Sequence, residues 1–390
     1  MAKSDAPNTQ RRQFLKLSGA LAGGAALTGL SSVAVAKSSE ASKSFTPPTA
    51  DKPIRICWNE NPLGMSPKAQ EVARATVTLG NRYPMGDMVT LQKMLADEHG
   101  VPADHVLLTA GATEGIRAAV EALASPDVQL VVPELTFDAA EAGAKVNGIT
   151  KITRIPMLKD WGIDLAAMKK AVADYNGPSL VYVVNPNNPT GAIVKAGDIE
   201  AWINSKPANT MFLMDEAYAE FADDPNFRSV SPLLKAGAQN IVLLKTFSKL
   251  FAMAGMRVGW VVSTPEVIGK IRDKTASNML NFPAVKAAIA SLEDKPFITY
   301  SRQSNETARK ILLEAFHKLN IEYVPSNTNF IFQKLDVPLK DYQEHMKQAG
   351  ILVGRAFPPA DEYCRVSLGT PEEMTFVAQT LLDFRKKGWV

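Results

Sequence analysis

The sequence predicts an α/β protein: a large domain with a mostly parallel, seven-stranded sheet, joined to a smaller α+β domain. Seven short apolar runs, several of them β-branched and unbroken by polar residues, suit strands buried on both faces, as in a parallel sheet covered by helices. Helical patterns alternate with these runs between about Asn81 and Pro283. From Phe297 onward the pattern changes to a long amphipathic helix through Leu319, then to short strands and helices. A chain of 390 residues, 46% of them hydrophobic, can fill a core in each of two lobes.

The first segment is distinguished by charge. The chain carries 43 basic and 40 acidic residues, and Lys3, Arg11, Arg12 and Lys16 against Asp5 account for the whole excess. The remainder is neutral and offers no electrostatic footprint for nucleic acid. No apolar run reaches the roughly 18 residues of a bilayer span, so no stable membrane anchor is expected. Arg11-Arg12-Gln13-Phe14-Leu15-Lys16, the weakly apolar run from Leu17 to Leu30 and Ala34-Val35-Ala36 have the three-part layout of an export signal. The paired arginines resemble a bacterial twin-arginine signal, with Gln10 where Ser or Thr is more usual, and imply the twin-arginine export machinery as a partner. Residues 1–36 are therefore expected to be removed and the mature protein to be periplasmic or exported. Residues 37–53, rich in Ser, Thr, Lys and Pro, read as a flexible leader.

Residues 54–80 are expected to form an N-terminal arm contributing to the small domain, 81–285 the large domain and 286–390 the small C-terminal domain. Within the arm, Ser66-Pro67 supplies an N-cap and a first-turn proline for a helix running to about Leu79. The expected strands are Val106–Leu108, Leu130–Val132, Ile152–Ile155, Leu180–Val184, Phe212–Met214, Ile241–Leu244 and Val258–Val262, with helices over Thr113–Ala124 and Leu165–Tyr175. Cys57 and Cys364 are too few for a disulfide framework, and four scattered histidines give no metal-ligand spacing, so no metal site is expected.

Ligands of open α/β sheets bind beyond the carboxyl ends of the strands. Four of those junctions are unusually polar or glycine-rich. Gly111-Ala112-Thr113-Glu114 opens a helix and presents free backbone N–H groups to an anion. Asn185-Pro186-Asn187-Asn188-Pro189-Thr190-Gly191, Asp215-Glu216-Ala217-Tyr218 and Lys245-Thr246-Phe247-Ser248-Lys249 follow later strands, with Arg257 eight residues past Lys249. Each alone is explicable as a turn, a cap or a surface lysine. Together they bring an anion cradle, a carboxylate, a phenol, an amide and a lysine to one rim, which is what a phosphorylated pyridine aldehyde requires.

These residues resemble those of the fold-type I, pyridoxal-phosphate-dependent aminotransferases, most closely the histidinol-phosphate aminotransferase branch. The resemblance runs from Asn59-Glu60-Asn61-Pro62 to Cys364-Arg365-Val366-Ser367-Leu368-Gly369-Thr370. It implies that Lys249 forms the Schiff base with pyridoxal 5'-phosphate and shuttles the proton between substrate Cα and cofactor. It implies that Asp215 pairs with the pyridinium nitrogen, that Asn188 and Tyr218 bond the phenolate oxygen, and that Phe137 stacks on the ring. The phosphate is implied to take the backbone of Ala112 and Thr113, the hydroxyls of Thr246 and Ser248, and Arg257, with Tyr83 reaching it from the second subunit of a homodimer. Arg365 is implied to hold the substrate α-carboxylate. Asn59, Asn61 and Asn329 lie in segments resembling the walls of the substrate pocket.

Two departures bear on the substrate. After Tyr83-Pro84 the branch usually continues Asp-Pro, where this chain has Met85-Gly86-Asp87. The arginine that the branch carries directly after Gly-Ile-x-Val, a candidate for holding the substrate phosphate, stands one position later, as Arg355 in Gly350-Ile351-Leu352-Val353-Gly354-Arg355; on a strand, one position reverses side-chain direction. The expected reaction is transamination between an amino acid donor and a 2-oxo acid acceptor, with a free amino acid in place of histidinol phosphate. The alternatives are a true histidinol-phosphate aminotransferase, a lyase, decarboxylase or racemase on the same cofactor, and an exported binding protein.

Overall fold

In β5 (Ser179–Val184) every residue is buried, and the side chains divide by parity: Val181 and Val183 enter one apolar cluster, Leu180, Tyr182 and Val184 another. Strand geometry points successive side chains to opposite faces, so continuous apolarity means a covering on both sides. The same division holds in β7 (Ile241–Thr246), where Ile241 and Leu243 face the first cluster and Val242 and Leu244 the second. The computed structural model describes residues 45–276 and 280–390. The twin-arginine expectation lies on residues outside that range.

The remaining strands of this sheet are β2 (Val106–Thr109), β3 (Gln129–Pro133), β4 (Lys151–Ile155), β6 (Thr210–Asp215) and β8 (Gly259–Val262), in the order β2-β8-β7-β6-β5-β3-β4. All seven expected strands are in it. β8 alone runs antiparallel to its neighbours, β2 and β7. Helices α3 (Ala112–Leu123), α4 (Ala139–Val146) and α8 (Pro265–Arg272) cover the face of the second cluster. The other face is covered by α1 (Pro67–Thr76), α2 (Met85–His99), α5 (Leu165–Ala173), α6 (Ala196–Asn204), α7 (Ser231–Lys235) and α9 (Phe282–Glu293). Ser66 caps α1, its hydroxyl accepting from Ala69 N at 3.1 Å, and Pro67 stands at the first turn as its fixed φ favours.

A third cluster joins α10 (Lys295–Leu319), α11 (Leu339–Gln348) and α12 (Pro371–Lys387) to two small sheets. One is antiparallel, formed by β9 (Tyr323–Val324), β10 (Phe330–Lys334) and β12 (Tyr363–Ser367); in the other, β1 (Ile54–Ile56) pairs in parallel with β11 (Ile351–Val353). The cores cut across the expected boundaries. Ile54 and Ile56 join this third cluster, whereas Ala69 and Ala73 of the same arm, and Ala287 and Ala288 beyond residue 285, pack into the main core. An apolar helix face says that it is buried, and not against which sheet. Within residues 45–53, expected in a flexible leader, Phe45 packs on the fold, 5.7 Å from Phe376, ring centroid to centroid. Residues 45–390 form one compact unit.

Candidate active site

Parity also aims the polar residues at the strand ends. Asp215 ends β6 on the same face as Leu213, and Thr246 ends β7 on the face of Val242 and Leu244, so both point to the α3 side. Glu216 and Lys245, one position away, point to the other. There the Lys245 ammonium lies 2.5 Å from Glu220 and 3.7 Å from Glu216, a buried ion cluster behind the sheet. This separates the two lysines of the segment: Lys245 is committed to carboxylates, while Lys249 reaches the cavity.

That cavity, of about 260 Å³, is lined by Ala112, Thr113, Phe137, Asn188, Asp215, Tyr218, Thr246, Ser248, Lys249, Arg257 and Arg365, together with Trp58 and Asn59. At one end α3 begins at Gly111 without a side-chain cap, leaving its first N–H groups free. Gly111 has φ +81°, and a Cβ there would collide with Arg257 Nη2, so any side chain would fill the cradle. Arg257 is anchored by Nη1 on Ala254 O and Nη2 on Ala110 O, and Thr246 Oγ1 donates to Ser248 Oγ at 2.8 Å. Backbone dipole, guanidinium and two hydroxyls form a dianion site.

In the same lining Asp215 is 3% exposed. Burial raises its pKa to about 6, against the hydrogen bonds from Tyr182 Oη at 2.9 Å and Ala217 N at 3.0 Å. Tyr182 is itself pushed well up by burial and by Asp215, so it remains a donor. A carboxylate of this proton affinity suits a cationic ring nitrogen. Lys249 Nζ donates to Asn59 O at 3.1 Å and lies 5.4 Å from the Tyr218 ring. Asn59 Nδ2 in turn donates to Tyr218 Oη at 3.0 Å. Arg365 is buried; Nη1 donates to Asn188 Oδ1, Nη2 to Cys57 O at 3.0 Å, and Nε has no partner. Burial pulls its pKa down, and no carboxylate among the described residues offsets this.

Three expected site residues are elsewhere. Asn61 Nδ2 donates to Lys249 O, Leu250 O and Ser301 Oγ, and Asn329 Nδ2 to Asn59 O and Glu60 O, so both hold the backbone of the site and neither lines the cavity. Arg355 lies past the end of β11, exposed, with its guanidinium 4.3 Å from the Phe357 ring, so strand parity does not govern it. Tyr83, expected to reach the site of a second subunit, is 72% exposed and does not line its own chain's cavity. Three contributors escaped the sequence reading: Trp58, Ser367, whose hydroxyl donates to Asn59 Oδ1, and Tyr182. A phenol inside an otherwise apolar, doubly buried strand needs a partner, and that was the available signal for Tyr182.

A dianion cradle, a buried carboxylate and a lysine lining one cavity define a pyridoxal-phosphate enzyme, and the residues fit that group in charge and hydrogen-bonding character. The chain belongs to the aminotransferase class I and II family, whose model matches residues 51–381. It is 34% identical over 323 residues to the histidinol-phosphate aminotransferase of Symbiobacterium thermophilum, covering 82% of this chain and 87% of that one. A crystal structure from Erwinia carotovora atroseptica, provisionally named a histidinol-phosphate aminotransferase, is 57% identical, with TM-score 0.88 over 89% of this chain and all of that one. The Sinorhizobium meliloti histidinol-phosphate aminotransferase, solved with pyridoxal-5'-phosphate, shares the fold at TM-score 0.77 and 24% identity, over 86% and 91% of the two chains. This protein is thus a pyridoxal 5'-phosphate-dependent aminotransferase.

Proposed function

We propose that this aminotransferase takes a free amino acid as its donor, and that it works as an exported homodimer. The observation that carries the donor reading is Arg365: a guanidinium only 8% exposed, opening on the same cavity as Lys249, with no carboxylate partner among the described residues. A buried, unpaired cation is costly unless an anion completes it, and a planar carboxylate matches the guanidinium fork. Histidinol phosphate, the substrate in the relatives' name, lacks an α-carboxylate. Arg355, the candidate for a distal phosphate, lies outside the cavity lining.

In this reading Arg365 fixes the substrate carboxylate and Lys249 carries the proton removed from Cα. Pyridoxal 5'-phosphate, when bound, supplies the electron sink that stabilises negative charge at that carbon. Asp215 would hold the proton on the ring nitrogen, Asn188 and Tyr218 would donate to the phenolate oxygen, and Phe137 would cover the ring. The N–H groups of Ala112 and Thr113, with Thr246, Ser248 and Arg257, would hold the phosphate. The test is kcat/KM of the mature enzyme for a panel of free amino acids against histidinol phosphate. A preference for histidinol phosphate refutes the reading, as does an Arg365→Ala variant that keeps its affinity for amino acids; the expected loss is roughly 2–5 kcal/mol.

Export is supported by the Arg11-Arg12 motif and is tested by fractionating cells: intact Met1 protein confined to the cytoplasm counts against it. The dimer is supported by a stretch of exposed apolar side chains, Val77, Leu79, Tyr83, Met85 and Val89, on the segment that carries Tyr83. Sedimentation of an active monomer would remove it.

A further inference from the structure

Trp58 is the one aromatic side chain of the cavity wall that this reading leaves without a task. Its indole is 64% exposed, although tryptophan is highly buried on average and an exposed ring of this size is the informative exception. Its backbone is nevertheless held on both sides by the site itself. The carbonyl of Cys57 accepts from Arg365 Nη2 at 3.0 Å, and the carbonyl of Asn59 accepts from Lys249 Nζ at 3.1 Å. Residue 58 therefore spans the interval between the group proposed to hold the carboxylate and the amine that serves Cα. The indole lines the same cavity as Arg365 and Lys249. The Arg55 guanidinium lies 5.8 Å from the indole centroid and is tied to Glu60 at 3.4 Å, so the ring has a support on the protein side. The charged groups of the cavity wall are Asp215, Lys249, Arg257 and Arg365, and ring nitrogen, amine, phosphate and carboxylate account for all of them.

We infer that Trp58 forms the wall of the side-chain subsite and selects donors with a large apolar or aromatic side chain. This rests on the free-amino-acid reading above. Stacking against an indole is worth about tenfold in affinity over a methyl group, from buried area and ring contact together. Because the ring is exposed, its removal leaves no internal void, and Trp58→Phe keeps an aromatic surface should Trp58→Ala disturb the loop.

Two measurements on the cofactor-loaded wild type, Trp58→Ala and Trp58→Phe decide the matter. The first is the ratio of kcat/KM for phenylalanine to that for alanine. The second, free of turnover, is calorimetric binding of 3-phenylpropionate against propionate, carboxylates that lack the amino group. Both ratios are expected to fall about tenfold in Trp58→Ala and much less in Trp58→Phe. If no amino acid is turned over but the 3-phenylpropionate preference falls in Trp58→Ala, the donor reading fails and the Trp58 wall stands. If amino acids are turned over and the binding ratio is unchanged in Trp58→Ala, the wall is refuted and the donor reading stands. A Trp58→Ala protein that sediments as a monomer with unchanged ratios would assign the ring to the subunit contact and also refutes the wall.

Discussion

Replacing Asp215 by asparagine tests the electrostatic design of the site through stability alone. The Asp215 pKa is raised by burial from 3.8 to about 6 in the folded, cofactor-free protein. For an acid shifted upward the native state binds the extra proton, so the contribution to stability falls as pH rises. The penalty is absent well below pH 3.8, grows between 3.8 and 6, and is complete above 6, where a shift of roughly two units corresponds to about 3 kcal/mol. Between pH 5 and 7.5 the single-site expression leaves about 1 to 2 kcal/mol of change still to be seen. The substituted amide cannot ionise. It also turns its oxygen or its NH₂ toward Tyr182 Oη and Ala217 N, which shifts the offset between the proteins without affecting its slope. Urea unfolding of cofactor-free wild type and Asp215→Asn across this range is therefore expected to show the variant gaining relative stability as pH rises. Loading with pyridoxal 5'-phosphate should flatten the slope, because a cationic ring nitrogen favours the ionised carboxylate. A pH-independent difference, or a slope of opposite sign in the cofactor-free proteins, would refute the argument that burial dominates at Asp215.

Lys249→Ala is expected to abolish transamination by at least about 10³-fold while the protein still takes up cofactor non-covalently; borohydride reduction of the wild type followed by peptide mass mapping should label Lys249, and a label on Lys245 would contradict the geometry. Gly111→Ala drives a methyl group into Arg257 Nη2 at a φ of +81°, so cofactor affinity, read by fluorescence titration, should weaken about tenfold or more with little change in secondary structure. Lys245→Met strands Glu216 and Glu220 behind the sheet and should cost about 3–5 kcal/mol in denaturant titrations, a larger effect at high pH, since burial already raises the Glu216 pKa and low pH allows it to protonate.

The large sheet and its ligand end are legible in the residues alone. Seven apolar runs specify strands buried on both faces, and the polar residues after Leu108, Val184, Met214 and Leu244 mark where a ligand can bind, because local periodicity and strand polarity are properties of contiguous residues. Ser66-Pro67 announced its helix for the same reason. The rest depends on partners far apart in the chain. Asn61 and Asn329, expected at the pocket wall, spend their amides on backbone carbonyls 188 and 270 positions away, Lys249 O and Asn59 O. The antiparallel direction of β8 is invisible to a run of buried apolar residues that reads alike in either sense. The assignment of α1 and α9 to the main core depends on which sheet meets an apolar face, and the backbone that carries Trp58 is held by bonds from Arg365 and Lys249 to its neighbours' carbonyls. Sequence pattern carries which side chains must be buried and where the backbone turns; the identity of the group across the gap is settled by packing in three dimensions.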